Sequence, residues 1–179
     1  MMQNYKGTPL LAVTAESGTG KTTLLTKIIP ILKSIGINLG CVKHTHHQLA
    51  LDTPGKDSHR LRMAGVDQML LGDSENWALF GKANGLENKL ENLLKRLNYE
   101  ELDLILIEGF RSAEVPSIIL RRSISGTQEP FIELNKSTIA IAGKKGQDPN
   151  YDLPYLNLDD PIEIADFIVT HVLKHSSED

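Results

Sequence analysis

The chain lacks several features that mark particular classes of protein. It has one cysteine, Cys41, so no disulfide can form within the chain, which suits a reducing compartment. No charged-then-apolar leader precedes the first predicted strand, and no apolar run approaches the length of a membrane span. The formal net charge of −4 argues against a broad surface for nucleic acid or anionic lipid. We therefore expect a cytoplasmic protein that binds neither nucleic acid nor membrane.

Length and composition indicate one globular domain. The 179 residues are 40% hydrophobic and 23% charged, which is ordinary for a chain that buries a core of its own. No internal repeat, low-complexity segment or linker divides the sequence. We predict a single domain over residues 1–179.

The most informative segment is 15–23, which reads AESGTGKTT. It follows an apolar run at 10–13 and opens onto a helical pattern, so it has the strand–loop–helix setting of a phosphate-binding loop, with Ala15 where the usual pattern has glycine. Lys21 can reach the β- and γ-phosphates, and Thr22 can offer its hydroxyl to Mg²⁺. A glycine-rich turn alone would leave the Gly-Lys-Thr sequence unexplained. The predicted nucleotide-binding residues are Ser17, Gly18, Thr19, Gly20, Lys21, Thr22 and Thr23.

The apolar pattern after this loop alternates helices with strands. The first helix covers about 21–35, with Pro30 expected to bend it and Gly36 to end it. Its predicted core face consists of Leu24, Ile28, Ile31, Leu32 and Ile35. The elements predicted next are the strand Leu39–Lys43, an exposed loop at 48–55, a short helix capped by Asp57 or Ser58 and ending near Gly65, strands at 66–71 and 77–80 around a polar turn, and a helix marked by Leu86, Leu90, Leu93, Leu94 and Leu97.

A nearly continuous apolar run at 102–107 is typical of a strand buried on both faces. In the last helix Asp160 is the expected N-cap, Pro161 the first residue and Glu163 the capping-box partner. The other predictions are short strands at 117–120, 131–134, 138–142 and 155–158, and a core face of Ile164, Ala165, Ile168 and Val172. Together these elements predict an α/β fold of the phosphate-loop NTPase type, with a mostly parallel sheet, helices on both faces and some antiparallel additions.

Three polar clusters follow strands of this sheet, at 17–23, 43–47 and 108–111. Because ligands gather at the carboxyl ends of parallel strands, we expect the clusters to converge. Glu108 closes an apolar strand where it can hold Mg²⁺ or its waters or orient an attacking water, although it could also merely cap a turn. Lys21 and Glu108 are therefore the candidate catalytic residues, and Thr22 and Glu108 the candidate metal ligands.

Other polar residues of this region leave more than one interpretation open. Lys43, His44, Thr45, His46, Gly109 and Arg111 form a candidate switch or second-ligand site. The group of His44, His46 and His47 could bind a transition metal, contact a phosphorylated substrate, orient the loop or simply hydrogen-bond locally. Asp52 and Asp57, around Lys56, could belong to a switch segment over the nucleotide or to an ordinary solvated loop.

The arginines and a few motifs are equally open. Arg60, Arg62, Arg111, Arg121 and Arg122 could be solvated charges or contacts to a second anion. Residues 135–138, NKST, lack the aspartate of the guanine-reading motif of many GTPases, so they predict a turn. Trp77 and Phe80 are expected in core or interface packing rather than in base stacking.

The order of these motifs resembles the MobB family, the molybdopterin-guanine dinucleotide biosynthesis adapter proteins. The resemblance is carried by SGTGKTTLL at 17–25, KHTHH at 43–47, DTPGKDS at 52–58, WAL at 77–79 and LDLILIEGF at 102–110. It implies a GTP- and Mg²⁺-binding protein with weak hydrolysis, which forms a homodimer and is at most an accessory enzyme. It also implies a partner, the MobA nucleotidyltransferase that joins GMP to molybdopterin, and molybdopterin is a further candidate ligand.

The chain departs from the family pattern at two places. Arg111 stands where family members often carry lysine, and Gly143-Lys144-Lys145 stands where they often carry a Ser-Asp pair, which leaves the choice between GTP and ATP open. Two other functions fit the same loop. One is a small-molecule kinase, in which the arginines clamp an acceptor, and the other is a metal-delivery GTPase, in which the histidines receive nickel or zinc.

Overall fold

The protein is described by a computed structural model that covers residues 2–16, 18–45, 53–81, 89–111, 113–122, 134–144 and 152–174. The chain forms two compact units. We call Met1–His44 with Leu93–Asp179 the sheet unit, and Thr45–Asn92 the hairpin unit. The single domain over 1–179 stays a prediction.

A helix follows the second strand of the sheet unit, as the apolar pattern predicts, but the four strands between Leu104 and Asn157 follow one another with no helix between them among the described residues. Its strands are β1 (Asn4–Tyr5), β2 (Thr8–Thr14), β3 (Leu39–Lys43), β6 (Leu104–Glu108), β7 (Ser117–Leu120), β8 (Thr138–Gly143) and β9 (Tyr155–Asn157), and the hairpin unit holds β4 (Gln68–Gly72) and β5 (Trp77–Gly81). The helices are α1 (Lys21–Ser34), α2 (Asp57–Met63), α3 (Leu90–Leu94) and α4 (Pro161–Ile168). Helix α4 continues as one π-helical turn, Val169–Leu173, and Tyr99–Glu101 forms a 3-10 turn.

The large sheet has the strand order β3-β6-β2-β7-β8-β9, and all of these neighbours are parallel. The short β1 adds an antiparallel pairing to the beginning of β2. All five residues of β6 are buried, which agrees with a strand covered on both faces. The predicted α/β fold with a mostly parallel sheet and antiparallel additions is confirmed.

Helix α1 ends at the predicted glycine. Gly36 has a φ of 88°, its N–H donates to the Lys33 carbonyl at 3.1 Å, and the N–H of Ile37 donates to the Leu32 carbonyl at 3.2 Å. This pair of bonds is the Schellman arrangement that satisfies the last carbonyls of a helix. Ile35 was predicted on the core face, and this is wrong: it is 58% exposed, because the chain leaves the helix there. The buried residues of α1 are Leu24, Leu25, Ile28 and Leu32, and Pro30 lies within the helix.

Helix α4 begins at its predicted cap. The side chain of Asp160 accepts from the N–H groups of Ile162 and Glu163 at 3.1 and 3.2 Å, and Pro161 is the first residue. The return bond of a capping box is not made, since the Asp160 N–H donates to the Asn157 carbonyl instead. The predicted core face is confirmed: Ile164, Ala165, Ile168 and Val172 are buried.

Several predicted boundaries differ from the structure. The strand predicted at 102–107 begins at Leu104 and includes Glu108, and β1 was not predicted at all. Of the leucine-marked helix, the described residues form only Leu90–Leu94, and Leu97 lies beyond its end. Residues 135–138 form the predicted turn, in which the Thr138 N–H donates a hydrogen bond to the Asn135 carbonyl at 3.0 Å. Leu86 and most of the strand predicted at 131–134 lie outside the described residues.

In the hairpin unit, β4 and β5 pair antiparallel, with Gly72 opposite Trp77. The carboxylate of Asp73 accepts from the N–H groups of Glu75 and Asn76 at 2.8 and 2.7 Å, which forms the predicted polar turn. Helix α2 begins at Asp57 without a side-chain cap, so the predicted cap at Asp57 or Ser58 is wrong. Trp77 is 68% exposed and therefore not part of a core.

Among the described residues, no helix is both long enough and apolar enough to cross a membrane.

Candidate functional site

The candidate site lies in the sheet unit, where β2, β3 and β6 reach their carboxyl ends. Strand register brings the ends together: Glu108 of β6 is paired with Val13 of β2 on one side and with Lys43 of β3 on the other. The chain leaves β2 at Thr14, forms the glycine loop and enters α1 at Lys21. The polar residues that follow three neighbouring strands are thus placed at one edge of the sheet.

Glycine makes the loop possible at two positions. Gly18 and Gly20 have φ values of 79° and 103°, which residues with a Cβ rarely adopt. Gly20 is the N-cap of α1. The buried Thr19 closes the turn, because its hydroxyl donates to the Glu16 carbonyl at 2.8 Å and its N–H to the same oxygen at 3.4 Å. The first turn of α1 therefore presents its free N–H groups beside a lysine, which favours an anion. Ser17 lies outside the described residues.

Lys21 is folded back onto its own loop. Its Nζ donates to the carbonyls of Ala15 at 3.0 Å and Glu16 at 2.9 Å. Burial lowers the pKa of Lys21, and the nearby Arg111 guanidinium lowers it further, whereas Glu108 and Glu16 raise it. An anion next to Lys21 would stabilise the ammonium form, so the environment of this lysine is suited to a phosphate.

Thr22, Glu108 and Lys43 form a triangle of contacts. The Thr22 hydroxyl donates to Glu108 Oε1 at 3.0 Å, and Lys43 Nζ lies 3.3 Å from the same oxygen and 3.5 Å from Thr22 Oγ1. The predicted convergence of the loop with Glu108 and Lys43 is therefore present. A hydroxyl and a carboxylate oxygen are hard ligands of the kind that Mg²⁺ takes, and the ammonium group of Lys43 already contacts both of them. The residues present thus fit a magnesium ion.

Arg111 holds the other side of the loop. Its Nη2 donates to the Ala15 carbonyl at 2.8 Å, and its Nη1 lies 3.2 Å from the carboxylate of Glu16. Sequence reasoning singled out Arg111 but missed Glu16. The available signal was the charge of Glu16 at a position that the phosphate-loop pattern leaves open.

Gly109 and His44 bring the ends of β3 and β6 close together. The His44 N–H donates to the Glu108 carbonyl at 2.9 Å, and the His44 ring lies 4.9 Å from the ring of Phe110. Gly109 has a φ of 98°, and a Cβ built on it would collide with the His44 carbonyl oxygen. His44 is therefore placed by backbone pairing and ring contact.

The described residues of this edge carry more positive than negative charge. The cations Lys21, Lys43 and Arg111 lie here with the carboxylates of Glu16 and Glu108. Nη1 of Arg122 also lies 3.9 Å from the point that a Cβ on Gly20 would occupy. With the N-terminus of α1 added, the arrangement favours a polyanion with a metal ion, such as a nucleoside triphosphate.

The remaining candidate residues are placed as follows. Thr23 is exposed in the first turn of α1. Thr45 and Asp57 belong to the hairpin unit, and Asp57 pairs with Arg60 at 3.8 Å. Nη2 of Arg122 is 3.8 Å from Asp159. His46, His47 and Asp52 lie outside the described residues, and within the described ranges no group of three or more metal-ligating side chains forms. Arg62 lies over the Phe80 ring, at 5.3 Å.

Comparison with known proteins identifies relatives along most of the chain. The family model of the molybdopterin guanine dinucleotide synthesis protein B matches residues 10–144. The molybdopterin-guanine dinucleotide biosynthesis adapter protein of Escherichia coli is 41% identical over 169 residues, which cover 94% of this chain and 95% of the relative. The adapter protein of Haemophilus influenzae is 36% identical, covering 89% and 87% of the two chains.

Solved structures agree with these matches. The crystal structure of Bacillus subtilis MobB superimposes with a TM-score of 0.71 at 27% identity, over 92% of this chain and 98% of that one. Another crystal structure of a molybdopterin-guanine biosynthesis protein B has a TM-score of 0.67 at 21% identity, over 90% and 98%, which supports the fold. The family model covers more than half of the chain, and relatives above 30% identity align along nearly its whole length, so this chain belongs to the MobB family of molybdopterin-guanine dinucleotide biosynthesis adapter proteins.

Proposed function

We propose that the protein is a GTP- and Mg²⁺-binding adapter in the synthesis of the molybdopterin guanine dinucleotide form of the molybdenum cofactor, with weak GTPase activity. One observation carries the nucleotide part of the proposal: the Thr22 hydroxyl is 3.0 Å from Glu108 Oε1, at the N-terminus of a helix that begins with Lys21. Thr22 and Glu108 would hold Mg²⁺ there, and the ion would supply charge neutralisation for the phosphates. Lys21 would exchange its two loop carbonyls for phosphate oxygens.

The adapter part of the proposal is supported by the family. The Escherichia coli and Haemophilus influenzae relatives are both named molybdopterin-guanine dinucleotide biosynthesis adapter proteins. This favours an adapter over a small-molecule kinase or a metal-delivery GTPase. An adapter needs partners, and we propose a MobA-type guanylyltransferase, a second copy of this chain in a homodimer, and molybdopterin as a further ligand.

Weak rather than fast hydrolysis is consistent with the contacts of Arg111. In efficient phosphate-loop GTPases an arginine contacts the transferred phosphoryl group. Here Arg111 is instead bound to the Ala15 carbonyl and the Glu16 carboxylate, so it supports the loop from the side.

The first test is Lys21→Ala, measured by calorimetric titration with GTP and Mg²⁺. Loss of a charge-assisted contact to phosphate should weaken GTP binding about 10- to 100-fold. The matched control is Lys33→Ala in the same helix, where Lys33 is exposed and bonds only the Asn38 side chain at 3.3 Å, among the contacts described. GTP affinity that is the same in both variants would refute the nucleotide site.

The second test is titration of the unaltered protein with GTP, ATP and molybdopterin, with and without the MobA-type partner. The proposal expects preference for GTP and a complex with the partner. Sedimentation velocity of the same samples checks the homodimer. Binding of ATP as tight as that of GTP, or no complex with the partner, would contradict the proposed adapter.

A further inference from the structure

Lys43 lies where a metal ion is expected. Its Nζ is 3.3 Å from Glu108 Oε1 and 3.5 Å from Thr22 Oγ1, the two oxygens that the proposed function assigns to Mg²⁺. These oxygens are 3.0 Å from each other, so all three groups contact one another. A monovalent cation, attached to the chain, thus neutralises the carboxylate that a divalent cation would need.

The backbone fixes this placement. Lys43 and Glu108 are direct partners in the parallel pairing of β3 with β6, and the His44 N–H continues the pairing by donating to the Glu108 carbonyl at 2.9 Å. Lys43 is also the last residue of its strand, so its side chain starts from the ligand-binding edge of the sheet. Its position opposite Glu108 is therefore a property of the fold and not of a flexible loop.

The two partners differ in their access to water. The Glu108 side chain is 11% exposed, whereas that of Lys43 is 55% exposed. Removing the cation from a largely buried carboxylate without a replacement would be costly, while the ammonium group itself can move to solvent at little cost. The carboxylate thus needs a cation, and the one present is easily exchanged.

We propose that Lys43 is a tethered cation that neutralises Glu108 when no metal ion is bound there and must leave when Mg²⁺ and nucleotide bind. This inference rests on the proposed function. Because Lys43 competes for Glu108 Oε1, it raises the Mg²⁺ concentration that nucleotide binding requires. When no metal ion is bound, the same ammonium group can contact the phosphates, so Lys43 also allows weak nucleotide binding without Mg²⁺.

The test measures the binding of a fluorescent GTP analogue as a function of Mg²⁺ in the full chain. The variants are Lys43→Met, which removes the charge and keeps most of the stem, Lys43→Arg, which keeps a charge, and the control Lys33→Met. Lys43→Met should lower the half-saturating Mg²⁺ concentration about two- to fivefold, the size expected for release of a partly exposed ion pair. Lys43→Arg and Lys33→Met should stay near the wild-type value.

Two further readouts separate competition from a merely structural role. Electron paramagnetic resonance of Mn²⁺ with the analogue should show tighter Mn²⁺ binding in Lys43→Met, and in EDTA this variant should bind the analogue more weakly than wild type. Lys43→Gln serves as a second neutral variant if Lys43→Met does not fold.

The outcomes are distinguishable. An unchanged or higher Mg²⁺ requirement in both neutral variants, with normal binding by wild type, would overturn the tethered-cation role alone. Absence of analogue binding by wild type at every Mg²⁺ concentration would overturn the proposed function and this inference with it.

Discussion

Glu108 shows how far residue-level reasoning reaches at this site. The sequence places it at the end of an apolar run and Lys43 at the end of another, so both were predicted at the same edge of the sheet. Their direct pairing depends on the register of β3 against β6. The apolar pattern does not determine this register, because β6 is buried along its whole length whereas β3 is only partly buried. The contact between Arg111 and Glu16 was not predicted for a similar reason, since it joins two loops that are far apart in sequence but follow neighbouring strands.

Gly109 provides a prediction at the scale of one residue. Gly109→Ala should destabilise the protein by about 2 kcal/mol or more, because alanine at a φ of 98° is strained and its Cβ would meet the backbone carbonyl of His44. Urea unfolding measures the change. The control is Gly81→Ala, at a glycine whose φ is not positive and whose added Cβ would meet no atom of the described residues within 4 Å. It should stay within about 0.5 kcal/mol of wild type. Equal stability of the two variants would contradict this explanation.

At the scale of elements, the sequence predicted reliably those boundaries that depend on the residues at the boundary itself. The bounds of β3 were predicted correctly, and Gly36 ends α1 because a left-handed residue is needed there. The strand β1 was missed because it has two residues, too few to show an alternating pattern, and it is paired through a turn at Lys6 and Gly7 that has no strong signature.

The turn between β4 and β5 should respond to acid. Two backbone N–H groups, those of Glu75 and Asn76, hold the pKa of Asp73 below its ordinary value. A lowered pKa in the folded state means that the charged carboxylate contributes stability above the unfolded pKa and that this contribution is lost as the pH falls through the lower, folded pKa. We therefore expect amide-exchange protection of Asn76 to decrease as the pH is lowered from about 5, above the ordinary pKa of aspartate, to about 2, below it.

A matched variant isolates this effect. Asp73→Asn keeps a carbonyl oxygen that can accept the same bonds but does not titrate, so its protection at Asn76, corrected for the intrinsic exchange rate, should change little over that pH range. A decrease of the same size in Asp73→Asn would assign the acid response to other groups.

The whole molecule contains two units that are built differently. All five residues of β6 in the sheet unit are buried, whereas α2 in the hairpin unit has no buried residue and β4 and β5 are mostly exposed. Length and composition predict one domain, which stays a prediction, and neither shows how unevenly apolar residues are buried. Several apolar residues of the hairpin unit are exposed to solvent, namely Met63, Leu70 and Trp77. Their apolar character alone therefore did not show whether they are buried.

This difference predicts an uneven response to ligand. At a GTP concentration about 100 times the dissociation constant, with Mg²⁺, binding stabilises the folded state by about 2.7 kcal/mol. Amides of β6 that exchange only through global unfolding should then exchange about 100-fold more slowly, because the phosphate loop and Glu108 belong to the sheet unit. Amides of β4 and β5 should exchange by local opening and slow little, since few apolar side chains are buried around them. Hydrogen-exchange mass spectrometry of peptides from these strands measures both. Equal slowing in the two units would show instead that they unfold together, as one cooperative domain over 1–179.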